Sequence, residues 1–179
     1  MRYMLFILAF IFTGCNDYIV SGIEKRQQEI LVHPEHINFG HLTSGSESGH
    51  DTFQIINTGD KDLTIFAPEL VSGNSRFSLL TTEETYIIGA GELLEFEVSY
   101  VPETFESNGA YIEIVSDDED EQITTVTLEG YGDAPVMIVE PEVFDYGDIS
   151  IGCDNEERIT IRNDGNLPLV IDSVTQMVT

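Results

Sequence analysis

The feature that most constrains this chain is an internal repeat, because the pattern of residues 30–65 starts again at residue 137. The first copy carries Pro34-Glu35, Phe39-Gly40, Asn57-Thr58-Gly59, Leu63 and Ile65. The second copy carries, in the same order, Pro141-Glu142, Tyr146-Gly147, Asn163-Asp164-Gly165, Leu169 and Ile171. The offset shortens by one residue in the loop between the Gly45/Gly152 and Asn57/Asn163 pairs. Matched turn residues at a nearly constant offset predict a repeated structural unit.

The first copy reads as a series of short strands with turn residues between them. Apolar and polar residues alternate along residues 93–101, and no stretch has a helical period. About eight strands separated by turns are typical of an all-β sandwich. We predict these strands over residues 29–32, 37–39, 52–57, 62–66, 76–80, 93–101, 110–115 and 123–128.

The second copy is much shorter than the first. We predict one complete domain over residues 29–133 and a partial, truncated second domain over residues 134–179, which holds only the first three or four strands. Half a sandwich leaves an apolar face and strand edges uncovered. We therefore expect either that the sequence is a fragment or that a partner completes this domain, and we prefer the fragment.

The N-terminus predicts an export signal. Met1-Arg2 is followed by an apolar run from Tyr3 to Phe12, which is too short to span a bilayer as a helix. The next residues, Phe12-Thr13-Gly14-Cys15, resemble the lipobox of bacterial lipoproteins, although Phe12 replaces the usual leucine. We predict that residues 1–14 are a lipoprotein signal peptide, that Cys15 is lipidated, and that residues 15–28 are a tether.

Two other interpretations of this segment stay open: an ordinary signal peptide with a chance cysteine, and an uncleaved anchor. The residue after Cys15 is Asn16 and not the aspartate linked to inner-membrane retention in enteric bacteria. We therefore favour the outer membrane of a bacterial cell envelope over the inner membrane.

The charge of the chain limits its partners. Thirty-three acidic and seven basic residues give a formal net charge of −26. Such a chain repels nucleic acid and anionic lipid headgroups, and it favours basic partners or divalent cations. We predict a membrane contact through the lipid on Cys15, a protein partner, and no nucleic acid.

Five consecutive acids, residues 117–121, form the predicted tip of a hairpin. Calcium requires six to eight oxygen ligands, and this run lacks the Asp-x-Asp-x-Asp-Gly spacing of a preformed loop. The candidate ligands are Asp117, Asp118 and Asp120. Because alternate side chains point apart, we favour a solvated tip that blunts strand pairing, and we predict no metal and no cofactor.

The histidines, Cys153 and the paired glycines are interpreted as structural residues and not as parts of a binding or catalytic site. His33, His36, His41 and His50 are interpreted as surface or strand-end residues, because no zinc-binding spacing is present. Cys153 has no histidine within its own copy, and it could pair with a cysteine elsewhere. We interpret Gly89-x-Gly91 as a strand-joining turn and Gly130-x-Gly132 as turn glycines that end the first domain.

The ordered motifs resemble a known family. They are the repeat residues given above, followed by Gly89-Ala90-Gly91-Glu92, Val98-x-Tyr100-x-Pro102, Ile114-x-Ser116-Asp117 and Leu128-Glu129-Gly130-Tyr131-Gly132. Together they resemble the immunoglobulin-like domains of the ASPM/SPD/Hydin (ASH) and major-sperm-protein-like group, which in bacteria occur in choice-of-anchor D proteins. The resemblance implies an immunoglobulin-like sandwich of seven to nine strands and an interaction role without catalysis. It transfers no ligand site.

The predicted function is that of a non-enzymatic cell-envelope lipoprotein whose repeats act as a structural spacer or as an adhesion and protein-interaction module. Two alternatives stay open. The repeats could display an enzymatic domain in a missing C-terminal part, or they could form a periplasmic chaperone-like module that binds peptides.

Overall fold

The computed structural model describes residues 27–71 and 76–175, and within these ranges it contains twelve β-strands and no helix. Ten strands belong to the first copy: β1 (Ile30–His33), β2 (His36–Thr43), β3 (Gly49–Asn57), β4 (Leu63–Phe66), β5 (Glu69–Val71), β6 (Phe77–Leu79), β7 (Thr85–Ile88), β8 (Leu93–Tyr100), β9 (Glu106–Val115) and β10 (Ile123–Asp133). Two belong to the second: β11 (Met137–Glu140) and β12 (Thr160–Asn163).

The first copy is a sandwich of two four-stranded sheets. One sheet has the order β1-β3-β8-β6, the other has the order β2-β10-β9-β5, and β4 and β7 form a separate antiparallel pair. The chain crosses from the first sheet to the second at Pro34, between β1 and β2. All pairs in the two large sheets are antiparallel except β2 with β10, which is parallel. The all-β sandwich predicted from the sequence is confirmed.

The inner faces of both sheets share one apolar core. The alternation predicted along β8 is observed, because Phe96, Val98 and Tyr100 are buried whereas Glu95 and Glu97 are exposed. The hydroxyl of Tyr100 donates a hydrogen bond of 2.7 Å to the side-chain oxygen of buried Asn108. The largest fully buried apolar side chains come from six different strands: Ile37, Phe53, Ile55, Leu63, Ile65, Val98, Tyr100, Ile112, Ile114, Val126 and Leu128.

Two strands were not predicted. β5 has three residues and β7 has four, and both are too short to show a clear alternation. They form because other strands bind them: β5 pairs with β9, and β7 pairs with β4. Such partners are distant in sequence, so local propensity does not reveal them.

The glycines at the end of the first copy have a different role from the one predicted. Gly130 and Gly132 lie within β10, opposite Asn108 and Glu106, and are not turn residues. A Cβ at Gly130 would overlap the ring of Tyr100, so the glycine permits close packing. By contrast, Gly91 does lie in the turn between β7 and β8, with a φ of 75°.

The Asn-x-Gly turn is built in the same way in both copies. Asn57 Nδ2 donates to the carbonyl of Lys61 at 2.6 Å, and Asn57 Oδ1 accepts from the Gly59 N–H at 3.0 Å. Asn163 repeats both bonds, at 2.8 Å to the carbonyl of Leu167 and at 3.0 Å from the Gly165 N–H. A side-chain amide that closes its own turn is the reason why asparagine occupies this position.

The turn also binds the segment that precedes each copy. The N–H of Asp60 donates to the Gln27 carbonyl at 3.0 Å, and the equivalent N–H of Asn166 donates to the Ala134 carbonyl at 3.2 Å. A Cβ at Gly59 would overlap the carbonyl oxygen of Gln27, and the same holds for Gly165 and Ala134. Glycine is therefore required here because another part of the backbone lies against it.

In the described part of the second copy, residues 134–175, one strand pair forms. β11 and β12 are antiparallel with Met137 opposite Asn163, which reproduces the pairing of Ile30 with Asn57 between β1 and β3. Residues 143–150 and 169–172, the equivalents of β2 and β4, form no strand. In the first copy these strands pair with β10 and β7, whose equivalents do not occur in residues 134–175. Partners, and not local sequence, decide which segments become strands.

Candidate functional site

The acidic run is not a solvated tip along its whole length. Asp117 is part of a contact with β4, because its Oδ1 accepts from the Thr64 N–H at 2.7 Å and its own N–H donates to the Thr64 carbonyl at 3.0 Å. This contact continues the bridge between Ile65 and Ser116. Asp117 is nevertheless exposed, so the interpretation of residues 117–121 as a solvated tip is wrong only for Asp118, which is buried.

Asp118 is the more deeply placed of the two, with 1% of its surface exposed. Its Oδ2 accepts from the N–H of Ile30 in β1 at 2.8 Å. Its Oδ1 accepts from the N–H groups of Asp120 and Glu121 at 3.1 and 3.3 Å. Burial raises the pKa of Asp118, but these backbone hydrogen bonds and a side-chain hydrogen bond with Asp120 together lower it by more, so that the pKa lies below its ordinary value.

Of the three candidate calcium ligands, the structure brings two together. Carboxylate oxygens of Asp118, Asp120 and Glu29 lie within 4.8 Å of one another, whereas Asp117 is directed to β4. Glu29 was missed from the sequence because it lies 88 or more residues away from the acids. Since both Asp118 oxygens already accept backbone hydrogen bonds, the carboxylate has a structural role that a metal would have to disturb.

The four histidines do not converge. His36, His41 and His50 each lie beside a separate carboxylate, at 3.6 Å from Glu129, 2.8 Å from Asp133 and 3.0 Å from Glu97 respectively. His33 is exposed at the end of β1. Their interpretation as surface or strand-end residues is confirmed.

Asp133, at the end of β10, accepts two side-chain hydrogen bonds that affect its pKa. Asp133 Oδ1 accepts from His41 Nδ1, and from Asn166 Nδ2 at 2.6 Å. These two hydrogen bonds hold the pKa of Asp133 below its ordinary value. Asn166 belongs to the second copy, so this carboxylate contacts both repeats.

Of the two cysteines, Cys15 lies outside the described residues, and so does the predicted signal peptide. Cys153 is an exposed free thiol in the second copy. In the part of the chain that the structure describes, there is no helix that could cross a bilayer.

The second copy presents an uncovered apolar face. Ile159 and Ile161 are 62% and 37% exposed, whereas their equivalents Phe53 and Ile55 are completely buried. The same contrast holds for Phe144, which is 47% exposed against 2% for Ile37.

The pairings, the strand order and the single core of the first copy define an immunoglobulin-like β-sandwich. The chain belongs to the HYDIN/CFA65/VesB-like Ig-like domain family, whose family model matches residues 29–131. This match confirms the predicted resemblance to the ASH and Hydin group. No curated protein sequence matches the chain.

Three solved structures are similar to part of this chain. A protein of unknown function from Porphyromonas gingivalis W83 has a TM-score of 0.50 and 13% identity over 64% of this chain and 51% of that protein. The ASH/PapD-like domain 7 of human CEP192 has a TM-score of 0.46 and 9% identity, over 66% of this chain and 95% of that domain. The Vibrio cholerae VesB protease has a TM-score of 0.46 and 18% identity, over 59% of this chain and 32% of VesB.

Proposed function

We propose that this chain is a lipid-anchored protein of the bacterial cell envelope whose Ig-like repeats hold an interaction surface at a fixed distance from the membrane, without catalysis. The observation that carries this proposal is the junction between the repeats. Residues 134–136 alone separate β10 from β11. Ala134 and Val136 hydrogen-bond to the second copy, and Asp133, the last residue of β10, hydrogen-bonds to both copies.

On the side of the first copy, the Ser44 N–H donates to the carbonyl of Asp133 at 2.8 Å. On the side of the second copy, Asn166 Oδ1 accepts from the Ala134 N–H at 3.2 Å, and the Asp164 N–H donates to the Val136 carbonyl at 2.8 Å. Flexible linkers between domains have free backbone groups. A short junction whose N–H and C=O groups are hydrogen-bonded supports a rigid spacer rather than two repeats joined by a flexible linker.

The surface chemistry supports a protein partner. A net charge of −26 opposes binding to nucleic acid and to anionic headgroups. Contact with the membrane then depends on the lipid at Cys15, because two or more acyl chains anchor a protein stably where one chain does not. The partner would bind the repeats, away from the lipid.

The anchor is tested by mass spectrometry of the mature N-terminus from membrane fractions of cells that express the wild type or Cys15→Ala. We expect a multiply acylated peptide that begins at Cys15 and is lost in the variant. An intact Met1 or an unacylated N-terminus would remove the membrane from the proposal. Comparison of inner- and outer-membrane fractions tests the preference for the outer membrane.

A second candidate function is favoured by the family description, which names VesB, a Vibrio cholerae protease. In that arrangement the Ig-like repeats display an enzymatic domain that follows residue 179. Sequencing of the native gene separates the two: further Asn-x-Gly repeats support the spacer, and a catalytic motif supports the display of an enzyme.

A further inference from the structure

We propose that a cavity on the outer face of the sheet β2-β10-β9-β5 binds an arginine side chain of a partner protein. The cavity has a volume of about 210 Å³, and Glu129, Tyr131 and His41 are its acidic and aromatic lining residues. This inference rests on the proposed function, because it gives the interaction surface of the repeats a chemistry. Loss of the lipid in Cys15→Ala would leave arginine binding unchanged, so the two proposals fail separately.

A β-bulge in β2 turns His41 towards this cavity. Before the bulge, Asn38 lies opposite Glu129. After it, His41 lies opposite Tyr131, so that β2 has advanced by three residues and β10 by two. The extra residue shifts the alternation of β2, because Leu42 and not His41 packs against the core. The bulge thus places the imidazole on the outer face, with its centroid 4.7 Å from that of the Tyr131 ring.

Two aromatic rings therefore border the cavity. The ring of Tyr131 is supported by a T-shaped contact with Phe105, and the side chain of His41 is 65% exposed. Because the Asp133 carboxylate accepts from His41 Nδ1 at 2.8 Å, Nδ1 carries the proton and Nε2 of the neutral imidazole is left as an acceptor. A guanidinium group stacks on aromatic rings and donates to acceptors of this kind.

Glu129 supplies the negative charge. Its carboxylate accepts no hydrogen bond within the described part of the chain, and its ion-pair partner, His36 Nε2, lies 3.6 Å away. On its other side Glu129 lies opposite Gly109, so no side chain of β9 covers it. A Cβ at Gly109 would meet only the Leu128 carbonyl, at 3.7 Å, so core packing does not require this glycine. The carboxylate is open to a bidentate ligand.

The charge of the chain favours a basic partner. The net charge is −26, and the lysine and arginine residues within residues 27–133 are Lys61 and Arg76, neither of which lines the cavity. Arginine fits better than lysine, because its planar group stacks on the two rings and donates two parallel hydrogen bonds to Glu129. A second copy of this chain is disfavoured as the source, since two chains of this charge repel each other.

The other sheet offers a matched control for Glu129. The side chain of Glu97 in β8 is also 55% exposed and also has a histidine on the neighbouring strand. In contrast to Glu129, however, its carboxylate lies at hydrogen-bond distance, 3.0 Å, from His50 Nδ1. The two acids thus share charge and exposure but differ in their availability to a ligand.

The proposal is tested by NMR titration of the full chain, labelled with ¹⁵N, in mild detergent at about 0.15 M salt. The probes are three short peptides with one arginine, one lysine or one citrulline between glycines; citrulline has the shape of arginine without its charge. We expect saturable shift changes at residues 38–41 and 129–131 with arginine, weaker binding of lysine and no binding of citrulline. Equal binding of lysine or citrulline, or changes spread over the whole acidic surface, would overturn the proposal.

Substitutions test the assigned residues. Glu129→Gln should weaken binding of the arginine peptide about fivefold, whereas Glu97→Gln should leave it unchanged. Tyr131→Leu should weaken it about threefold, whereas Tyr131→Phe, which keeps the ring, should bind as the wild type does. Amide signals far from the cavity check that each variant is folded. Equal effects of the two glutamate variants would show that net charge alone acts, which contradicts the assigned cavity.

The source of the arginine is tested by sedimentation of the full chain without peptide. Dimers that Glu129→Gln dissociates would assign the arginine to a second copy, and would overturn a partner protein as the source. A monomer supports the partner protein.

Discussion

Asp118 Oδ2 accepts a hydrogen bond from the N–H of Ile30 at 2.8 Å, across 88 residues of sequence. Ile30 opens the first strand of the repeat, and Asp118 lies in the loop between β9 and β10. The bond therefore fastens the hairpin loop of one sheet to the edge strand of the other. The bond is buried, and because the hydrogen bonds of Asp118 lower its pKa, the carboxylate contributes to the fold in its charged form.

We expect Asp118→Asn to destabilise the first domain by about 1–3 kcal/mol, since the amide nitrogen that replaces one oxygen cannot accept from a backbone N–H. The free energy of unfolding, measured in urea at pH 7, checks this. Asp62→Asn removes an acid that is exposed and should change stability little. Equal losses in the two variants would contradict a specific role for Asp118.

The pH dependence of stability follows from the same contact. The pKa of Asp118 is lowered in the folded state, so its contribution is complete above the unfolded pKa of about 4. As the pH falls from about 4 through the folded pKa, the contribution is lost. The difference in stability between wild type and Asp118→Asn should therefore shrink below about pH 4. A difference that stays constant down to pH 2 would contradict this linkage.

The two turn asparagines should differ in their effect on stability. Asn57 is completely buried and also donates to the Ile88 carbonyl at 2.8 Å, so Asn57→Ala should cost about 2–4 kcal/mol. Asn163 is exposed, and Asn163→Ala should cost less than about 1 kcal/mol in the present chain. Thermal unfolding of both variants checks the contrast. Equal losses of stability would show that Asn163 is as well buried in solution as Asn57.

Gly59 tests the close approach of the turn to the segment before β1. Gly59→Ala introduces a Cβ that overlaps the Gln27 carbonyl and should cost about 1–3 kcal/mol. Gly109→Ala is a suitable control, because its nearest contact would be the Leu128 carbonyl at 3.7 Å. The control should stay within about 0.5 kcal/mol of the wild type. Chemical denaturation measures both, and a harmless Gly59→Ala would argue against the contact.

Calcium should have little effect on the first domain. The Asp118 oxygens that could join Glu29 and Asp120 are already held by backbone N–H groups, and calcium needs six to eight oxygens. We expect millimolar calcium to leave the unfolding temperature unchanged. A rise of several degrees that Asp120→Asn abolishes would instead show a binding site.

The sequence predicted the sandwich and its repeat, because alternation and turn residues are local signals. The alternation of Leu94, Phe96 and Val98 predicts β8, and Asn57 with Gly59 predicts the turn. By contrast, β5 and β7 exist because β9 and β4 bind them. A strand that depends on a distant partner carries little information in its own residues.

The candidate sites show the same limit. The acids at residues 117–121 looked equivalent in the sequence, yet Asp118 is buried whereas Asp120 is exposed. The difference comes from β1, which lies 88 residues earlier and supplies the N–H of Ile30.

The turn of each repeat binds residues that lie before its own first strand: Gln27 for the first copy and Ala134 for the second. The joint between two repeats is therefore a structural part of the later repeat. Adding or removing one residue between Asp133 and Met137 would disrupt the hydrogen bonds that Ala134 and Val136 make with this turn. In an array of such repeats the length of the joint would set the spacing and the relative orientation of neighbouring units.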